Sequence, residues 1–145
     1  MDAYNITLHA HSGLRWIALL LALVVVIKSI AGLVGKSEYS KLDNILGASY
    51  VGFMHLQLLL GLVLYFVLSP ITEMALNDFG AAMKNSELRF WAVEHLSVML
   101  LAIIFAQIGR TRSKKADISK KYKLQAIFFG ASLLLMLAGI PWGRI

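Results

Sequence analysis

Three histidines of this 145-residue chain lie inside, or at the edge of, stretches hydrophobic enough to cross a membrane: His11, His55 and His95. An ionisable side chain at membrane depth is costly, so it usually faces the interior of a helical bundle and marks a site. Imidazole is also a common metal ligand through its neutral ring nitrogens. These histidines are therefore the residues whose chemistry most needs an explanation.

Two imidazoles from different helices of a small bundle can hold a b-type haem. Their nitrogens must then lie about 4 Å apart, because each metal–nitrogen bond is about 2 Å long. Counted from one end of its stretch, His95 comes near the depth of His55, and counted from the other end it comes near that of His11. Both pairs, His95 with His55 and His95 with His11, therefore stay open. His95 belongs to both and is the first ligand that the sequence predicts.

Two charged residues accompany these histidines. Arg15 lies four residues after His11 and so shares its face on a helix, whereas Glu94 points about 100° away from His95. Arg15 needs an anionic partner at this depth, either Glu94 or a haem propionate. Glu94 could pair with Arg15 or Arg89, or it could transfer protons to a quinone near the outer surface.

Structural interpretations of the same residues are weighed beside these. His9 is an interfacial histidine, and Met99 is packing material on the face of His95. His55 could simply form a hydrogen bond with Gln107 or Ser132 of a neighbouring span. A non-haem metal site is a further alternative, because imidazole suits copper, zinc and iron; it would use His11, His55, His95 and Glu94.

The elements that must position these residues are membrane spans. The chain is 59% hydrophobic and only 15% charged, whereas soluble domains run closer to a quarter charged. Four stretches reach the roughly 20 residues that a hydrocarbon core requires. The predicted spans cover about residues 8–34, 45–68, 87–109 and 122–141. We expect one integral membrane domain over residues 1–145, with an all-α, up-down four-helix transmembrane bundle and no cleaved signal peptide.

The basic residues predict the orientation. Ten of the fourteen lysines and arginines lie between spans one and two or between spans three and four: Lys28, Lys36, Lys41, Arg110, Arg112, Lys114, Lys115, Lys120, Lys121 and Lys123. By the positive-inside rule, both termini lie on the outer, periplasmic side. This asymmetry also accounts for the net charge of +6 without nucleic acid. The outer connection, residues 69–86, is expected to form a short helix at the interface.

Several segments resemble a known family, and together they extend from His9 to Trp142: LHAHSGLRW, HLQLLLGLVLYF, AAMKNSELRFWAVEHLSVM and IGRTRSKK. They are similar to the small four-span bacterial inner-membrane proteins labelled "cytochrome b" or cytochrome b-like. The resemblance implies haem b and electron transfer, with His11, His55 and His95 as the motif histidines beside Arg15 and Glu94. Unlike membrane cytochromes that carry two haems, this chain has no histidine in span four. One bis-histidine haem is therefore the expected number.

The sequence thus predicts a membrane electron-transfer protein rather than a stand-alone enzyme. It would take electrons from a quinol and pass them to a partner, such as another subunit of a respiratory complex. A second hypothesis is a non-catalytic accessory subunit whose buried polar residues only join helices. A third is a small proton or metal conduit lined by Glu94 and the histidines.

Overall fold

Four long helices dominate the computed structural model, which describes residues 2–144. Two of them form the first half: α1 (Ala3–Val34) and α2 (Lys41–Val63), which continues through a π-helical turn (Leu64–Leu68). Three short helices follow: α3 (Pro70–Asn77), α4 (Phe79–Ala82) and α5 (Ser86–Arg89). A second π-helical turn (Phe90–Glu94) then leads into α6 (His95–Lys115), α7 (Ile118–Gly139) and a final 3₁₀ turn (Trp142–Arg144).

The predicted fold class is confirmed. The described residues are 89% helical and contain no strand, and four helices are long and apolar enough to cross a membrane. The chain is therefore a multi-pass membrane protein. The side of the membrane that holds the termini stays a prediction from the basic residues.

Neighbouring spans run antiparallel, because the contacts join their opposite ends. His95 at the start of α6 contacts Gly139 at the end of α7. A Cβ atom at Gly61, late in α2, would lie 3.4 Å from Cε1 of His11, early in α1. One end of the bundle, here called the termini end, therefore holds both chain termini and the short helices α3–α5. The opposite end, the loop end, holds the connections between α1 and α2 and between α6 and α7.

Local signals set most helix ends. Ser40 and Asp43 form a capping box at the start of α2, and the Asn85 side chain accepts from two backbone N–H groups of α5. The second span ends at Leu68, just before Ser69 and Pro70, where the sequence predicts a stop. The helix that contains the third predicted span continues past residue 109 to Lys115. The ammonium group of Lys121 satisfies the last carbonyls of that helix, 2.6 Å from the Ser113 oxygen.

Small side chains let the helices approach closely around two large aromatic ones. Tyr50 and Phe129 are fully buried and pack edge to face at 5.2 Å between ring centroids. The hydroxyl groups of Tyr50 and Ser132 bond to each other, and Ser132 donates to the Ala102 carbonyl. Large apolar side chains cover the outside of the bundle, as a lipid-facing surface requires.

A polar cluster closes the loop end. The carboxylate of Asp43 accepts from Lys28 at 2.7 Å and from the Tyr122 hydroxyl at 2.6 Å. Next to it, the Gln125 side chain accepts from Ser29 and donates to the Tyr39 hydroxyl. Every buried polar side chain of this cluster thus has a partner within the chain.

A substitution at Gly109 tests whether the close approach of α6 to α7 contributes to stability. A methyl group there would lie 2.7 Å from Cβ of Phe128, an atom that cannot move without the backbone. We expect Gly109→Ala to lower the free energy of unfolding by about 1–3 kcal/mol, as overpacking does. Thermal unfolding in detergent, followed by circular dichroism, measures this loss.

Gly130→Ala is the matched control, because a Cβ atom at Gly130 meets nothing within 4 Å. That variant should gain up to about 1 kcal/mol from helix propensity alone. The packing argument fails if the two variants have the same stability.

Candidate functional site

A cavity of about 640 Å³ lies at the termini end, between the four spans. This volume is within the range of about 300–1,000 Å³ that is typical of ligand sites. Most of its lining is apolar, and His11, Arg15, Gln57 and His95 are its main inward polar side chains. No aspartate or glutamate of the described chain lines it. The cavity is therefore apolar, with two arginines in its lining: Arg15, and Arg144, which forms an ion pair with Glu87.

The structure brings His11 and His95 together in this cavity, from α1 and α6. Their ring centroids lie 6.5 Å apart, and the ring planes are 85° to each other. Both side chains are partly buried and line the cavity. Two imidazoles from separate spans therefore lie at one level of the bundle, and an imidazole in its neutral form can bind a metal.

His95 has a fixed orientation. Its Nδ1 lies 2.7 Å from the Gly139 carbonyl oxygen, which can only accept, so Nδ1 carries the proton and donates. Nε2 is consequently the unprotonated nitrogen, which is the form that binds a metal. A histidine ligand usually donates its other N–H to a carbonyl or carboxylate in this way. The ring of Trp91, 5.4 Å away, packs against the imidazole.

Two π-helical turns, linked by a hydrogen bond, lie next to His95 and help to fix its position. Such turns often lie at functional sites, because they leave backbone carbonyls without their usual helical partners. Here the Tyr65 hydroxyl, in the first π turn, donates to the Ala92 carbonyl in the second at 2.7 Å. The Thr72 hydroxyl in turn donates to the Tyr65 carbonyl at 2.7 Å. The two turns thus brace each other directly before His95.

Three buried polar atoms around the cavity have no partner in the described chain: Nδ1 of His11, Nε of Arg15 and Oε1 of Gln57. Native proteins rarely leave such atoms unpaired, and each case calls for an explanation. The Gln57 amide does donate to the His11 carbonyl at 2.9 Å, which ties α2 to α1 beside the imidazole. The unpaired guanidinium atom of Arg15 indicates an anionic ligand group.

Glu94 lies elsewhere. Its carboxylate is exposed and 3.3 Å from Nε of Arg89, so it forms the surface ion pair that was one of its two structural alternatives. It does not approach Arg15 and does not line the cavity. Arg15 forms no ion pair with a carboxylate of the described residues, and its guanidinium lies 5.0 Å from the centre of the Trp16 ring.

His55 also lies apart from the cavity. Its exposed side chain forms a hydrogen bond with Oε1 of Gln107 at 2.8 Å, as in its structural interpretation. The structure does not bring His55 to His95. Among residues 2–144 there is no cluster of three or more histidine and carboxylate side chains that could hold a metal ion, so the four-residue non-haem site is not assembled. His9 is exposed at the cavity mouth, and Met99 lines the wall.

Sequence reasoning missed three contributors to this site. Gln57 is a polar residue in mid-span, and this was a usable signal, but only His55, two residues earlier, was selected as a candidate. Tyr65 is an aromatic residue near the end of a span, where aromatic residues are common in any membrane protein, so its type gives no functional signal. The Gly139 carbonyl had no signal in the sequence, because any residue has a carbonyl group and only the packing of α7 against α6 selects this one.

Fold and cavity together define a class: a four-span membrane bundle with two histidines facing each other in an apolar, ligand-sized cavity. No protein-family model, curated protein or solved structure matches the chain.

Arg15 provides a test of the unpaired charge. In ligand-free protein, Arg15→Met should raise the free energy of unfolding by about 1–3 kcal/mol, since an apolar side chain needs no partner. Thermal unfolding in detergent measures the gain.

Arg89→Met is the control, because Arg89 is exposed and paired with Glu94. We expect no gain there, since exposed ion pairs contribute little. A loss of stability in Arg15→Met, in place of the expected gain, would show that Arg15 has a stabilising partner in the ligand-free protein.

Proposed function

We propose that this protein is a membrane b-type cytochrome that binds one haem b between His11 and His95 and transfers single electrons. The observation that carries the proposal is the 6.5 Å separation of the two ring centroids across the cavity. Two metal–nitrogen bonds of about 2 Å, with about 1 Å from each nitrogen to its ring centre, sum to about 6 Å. The spacing therefore suits one metal ion between the two imidazoles.

The cavity supports the same ligand. Its apolar walls suit a macrocycle, and Arg15 offers the cation that a propionate requires. Gly61 leaves room beside His11, since a Cβ atom there would lie 3.4 Å from that ring. Without a ligand, the buried Nε atom of Arg15 and the buried Nδ1 atom of His11 would remain unpaired.

When bound, the haem supplies reversible one-electron oxidation and reduction. The chain's own residues determine how it is held. The Gly139 carbonyl fixes the tautomer and the ring orientation of His95, and the apolar walls would exclude water from the bound group. Arg15 places a positive charge near the site, which favours a ligand with an anionic group.

The location and partners follow as part of the proposal. The resemblance to small bacterial inner-membrane proteins implies that membrane, and the positive-inside distribution favours an orientation with the cavity near the periplasmic side. A quinol is then a suitable electron donor from the bilayer, and another membrane-complex subunit is a suitable acceptor. Glu94, at the surface beside the cavity end, is a candidate for proton exchange with that quinol.

A non-catalytic accessory subunit is the second candidate. The observation that favours it is the set of satisfied interhelical bonds, His55 with Gln107 and Tyr50 with Ser132, which need no ligand. Those bonds lie outside the cavity, however, and they do not account for the unpaired atoms at His11 and Arg15. A bound haem would give the unpaired atoms of His11 and Arg15 their partners, and it is compatible with the interhelical bonds.

A reduced-minus-oxidised absorption spectrum of protein purified from haem-replete cells tests the proposal. We expect a b-type α-band in the wild type. His11→Ala and His95→Ala should each lose this low-spin band, because each removes one axial ligand.

His55→Ala and His9→Ala are the controls and should keep the band, since the structure pairs neither imidazole with His95 in the cavity. Circular dichroism confirms that each variant is folded. A colourless, folded wild-type protein would support the accessory subunit, and loss of the band in His55→Ala but not in His11→Ala would identify a different ligand pair.

A further inference from the structure

A polar patch faces outward on the groove between α2 and α6, away from the cavity. It consists of His55, Gln107 and Thr111, together with the small residues Gly52 and Ala48, which lie about one and two helical turns from His55. All five residues are exposed. His55 Nε2 lies 2.8 Å from Gln107 Oε1, and Gln107 Nε2 lies 3.0 Å from Thr111 Oγ1.

This patch lies where lipid would otherwise cover the protein. His55 is halfway along the second span, Lys41–Leu68. Lipid tails offer no hydrogen-bond partner, so exposed imidazole and amide groups at this depth are costly. Around the patch the outward residues are large and apolar, including Leu56, Leu59 and Ile104. The polar patch therefore needs a cover that lipid does not provide.

The hydrogen bonds within the patch leave both a donor and an acceptor unused. Because Oε1 of Gln107 only accepts, His55 donates through Nε2, and its Nδ1 keeps a bare lone pair. Thr111 accepts from Gln107, so its hydroxyl proton is still able to donate, as is the second amide proton of Gln107. Within residues 2–144 these groups form no further side-chain hydrogen bond.

A surface that has both an unused hydrogen-bond donor and an unused acceptor is complementary to itself. In a two-fold dimer the same patch meets the same patch, so the acceptor of one copy can face a donor of the other. The spacing of Ala48 and Gly52, four residues apart on one face, allows the two α2 helices to approach closely. A Cβ atom at Gly52 would meet nothing within 4 Å, so this approach is open.

We propose that the polar patch is the interface of a homodimer, formed by α2 and α6 of two copies of this chain around a two-fold axis. The dimer would bury the exposed imidazole and amide groups against their counterparts. This inference does not depend on the haem proposal, because the patch and the cavity share no residue.

Cysteine crosslinking in native membranes tests the interface, and the chain has no cysteine of its own. We expect Gly52→Cys to give a disulfide-linked dimer on mild oxidation. Gly130→Cys is the matched control: its Cβ also meets open space, but it lies on α7, diagonally across the bundle from α2. That variant should give no dimer band.

The mass of the protein in detergent and in nanodiscs gives a second measurement. We expect two chains in the wild type and one chain in the double variant His55→Leu, Gln107→Leu, whose leucines suit lipid and keep the helices intact. Gly52→Leu should have the same effect by blocking close approach. The absorption spectrum should not change in either variant, which separates this outcome from failure of the proposed function.

Three results would overturn the proposal. One is a single chain per particle for the wild type in nanodiscs. Another is equal crosslinking at positions 52 and 130. The third is a crosslink from position 52 to a different protein instead of to a second copy.

Discussion

In a bilayer, a polar group must find its partner within protein, because lipid tails neither donate nor accept hydrogen bonds. The loop end of the bundle meets this requirement fully: Asp43 is surrounded by Lys28, Tyr122 and the Ser40 cap. The termini end does not, since Arg15 and His11 each keep a buried atom without a partner in the described chain. This difference between the two ends is the basis on which the termini end is proposed as a binding site and the loop end is interpreted as a structural network.

The cavity at the termini end depends on an irregular backbone. A regular α-helix through Phe90–Glu94 would use the Ala92 carbonyl in its own ladder and would rotate His95 relative to the rest of α6. The π turn instead gives that carbonyl to Tyr65, across from another π turn in α2. The first π turn thus satisfies a carbonyl of the second, and Thr72 of α3 satisfies a carbonyl of the first, so both irregular segments, which adjoin the cavity, have partners for these carbonyls.

The fold was predictable from the sequence, because four apolar stretches with polar connections leave few alternatives. Caps and prolines set most helix ends, but α6 ran on to Lys115, since basic residues form helix readily and Lys121 satisfies its last carbonyls. The candidate site was predictable only in part. His95 and Arg15 stood out as ionisable groups at membrane depth, whereas the choice between His11 and His55 as the neighbour of His95 stayed open. Depth counted at 1.5 Å per residue assumes regular helices, and the π turn before His95 breaks that assumption.

His55 and His11 show why residue type and depth alone could not decide their roles. Both are histidines on neighbouring helices, yet one is turned outward to Gln107 and the other inward to the cavity. The difference arises from which neighbour each helix face meets: α2 presents His55 to a glutamine that satisfies one nitrogen, whereas α1 presents His11 to the cavity, in contact with Gly61. An imidazole with a protein partner stabilises the bundle whether or not a ligand is present. An imidazole that faces a cavity beside an unpaired arginine weakens the empty bundle, and a chain keeps such a pair where a bound group restores the missing contacts.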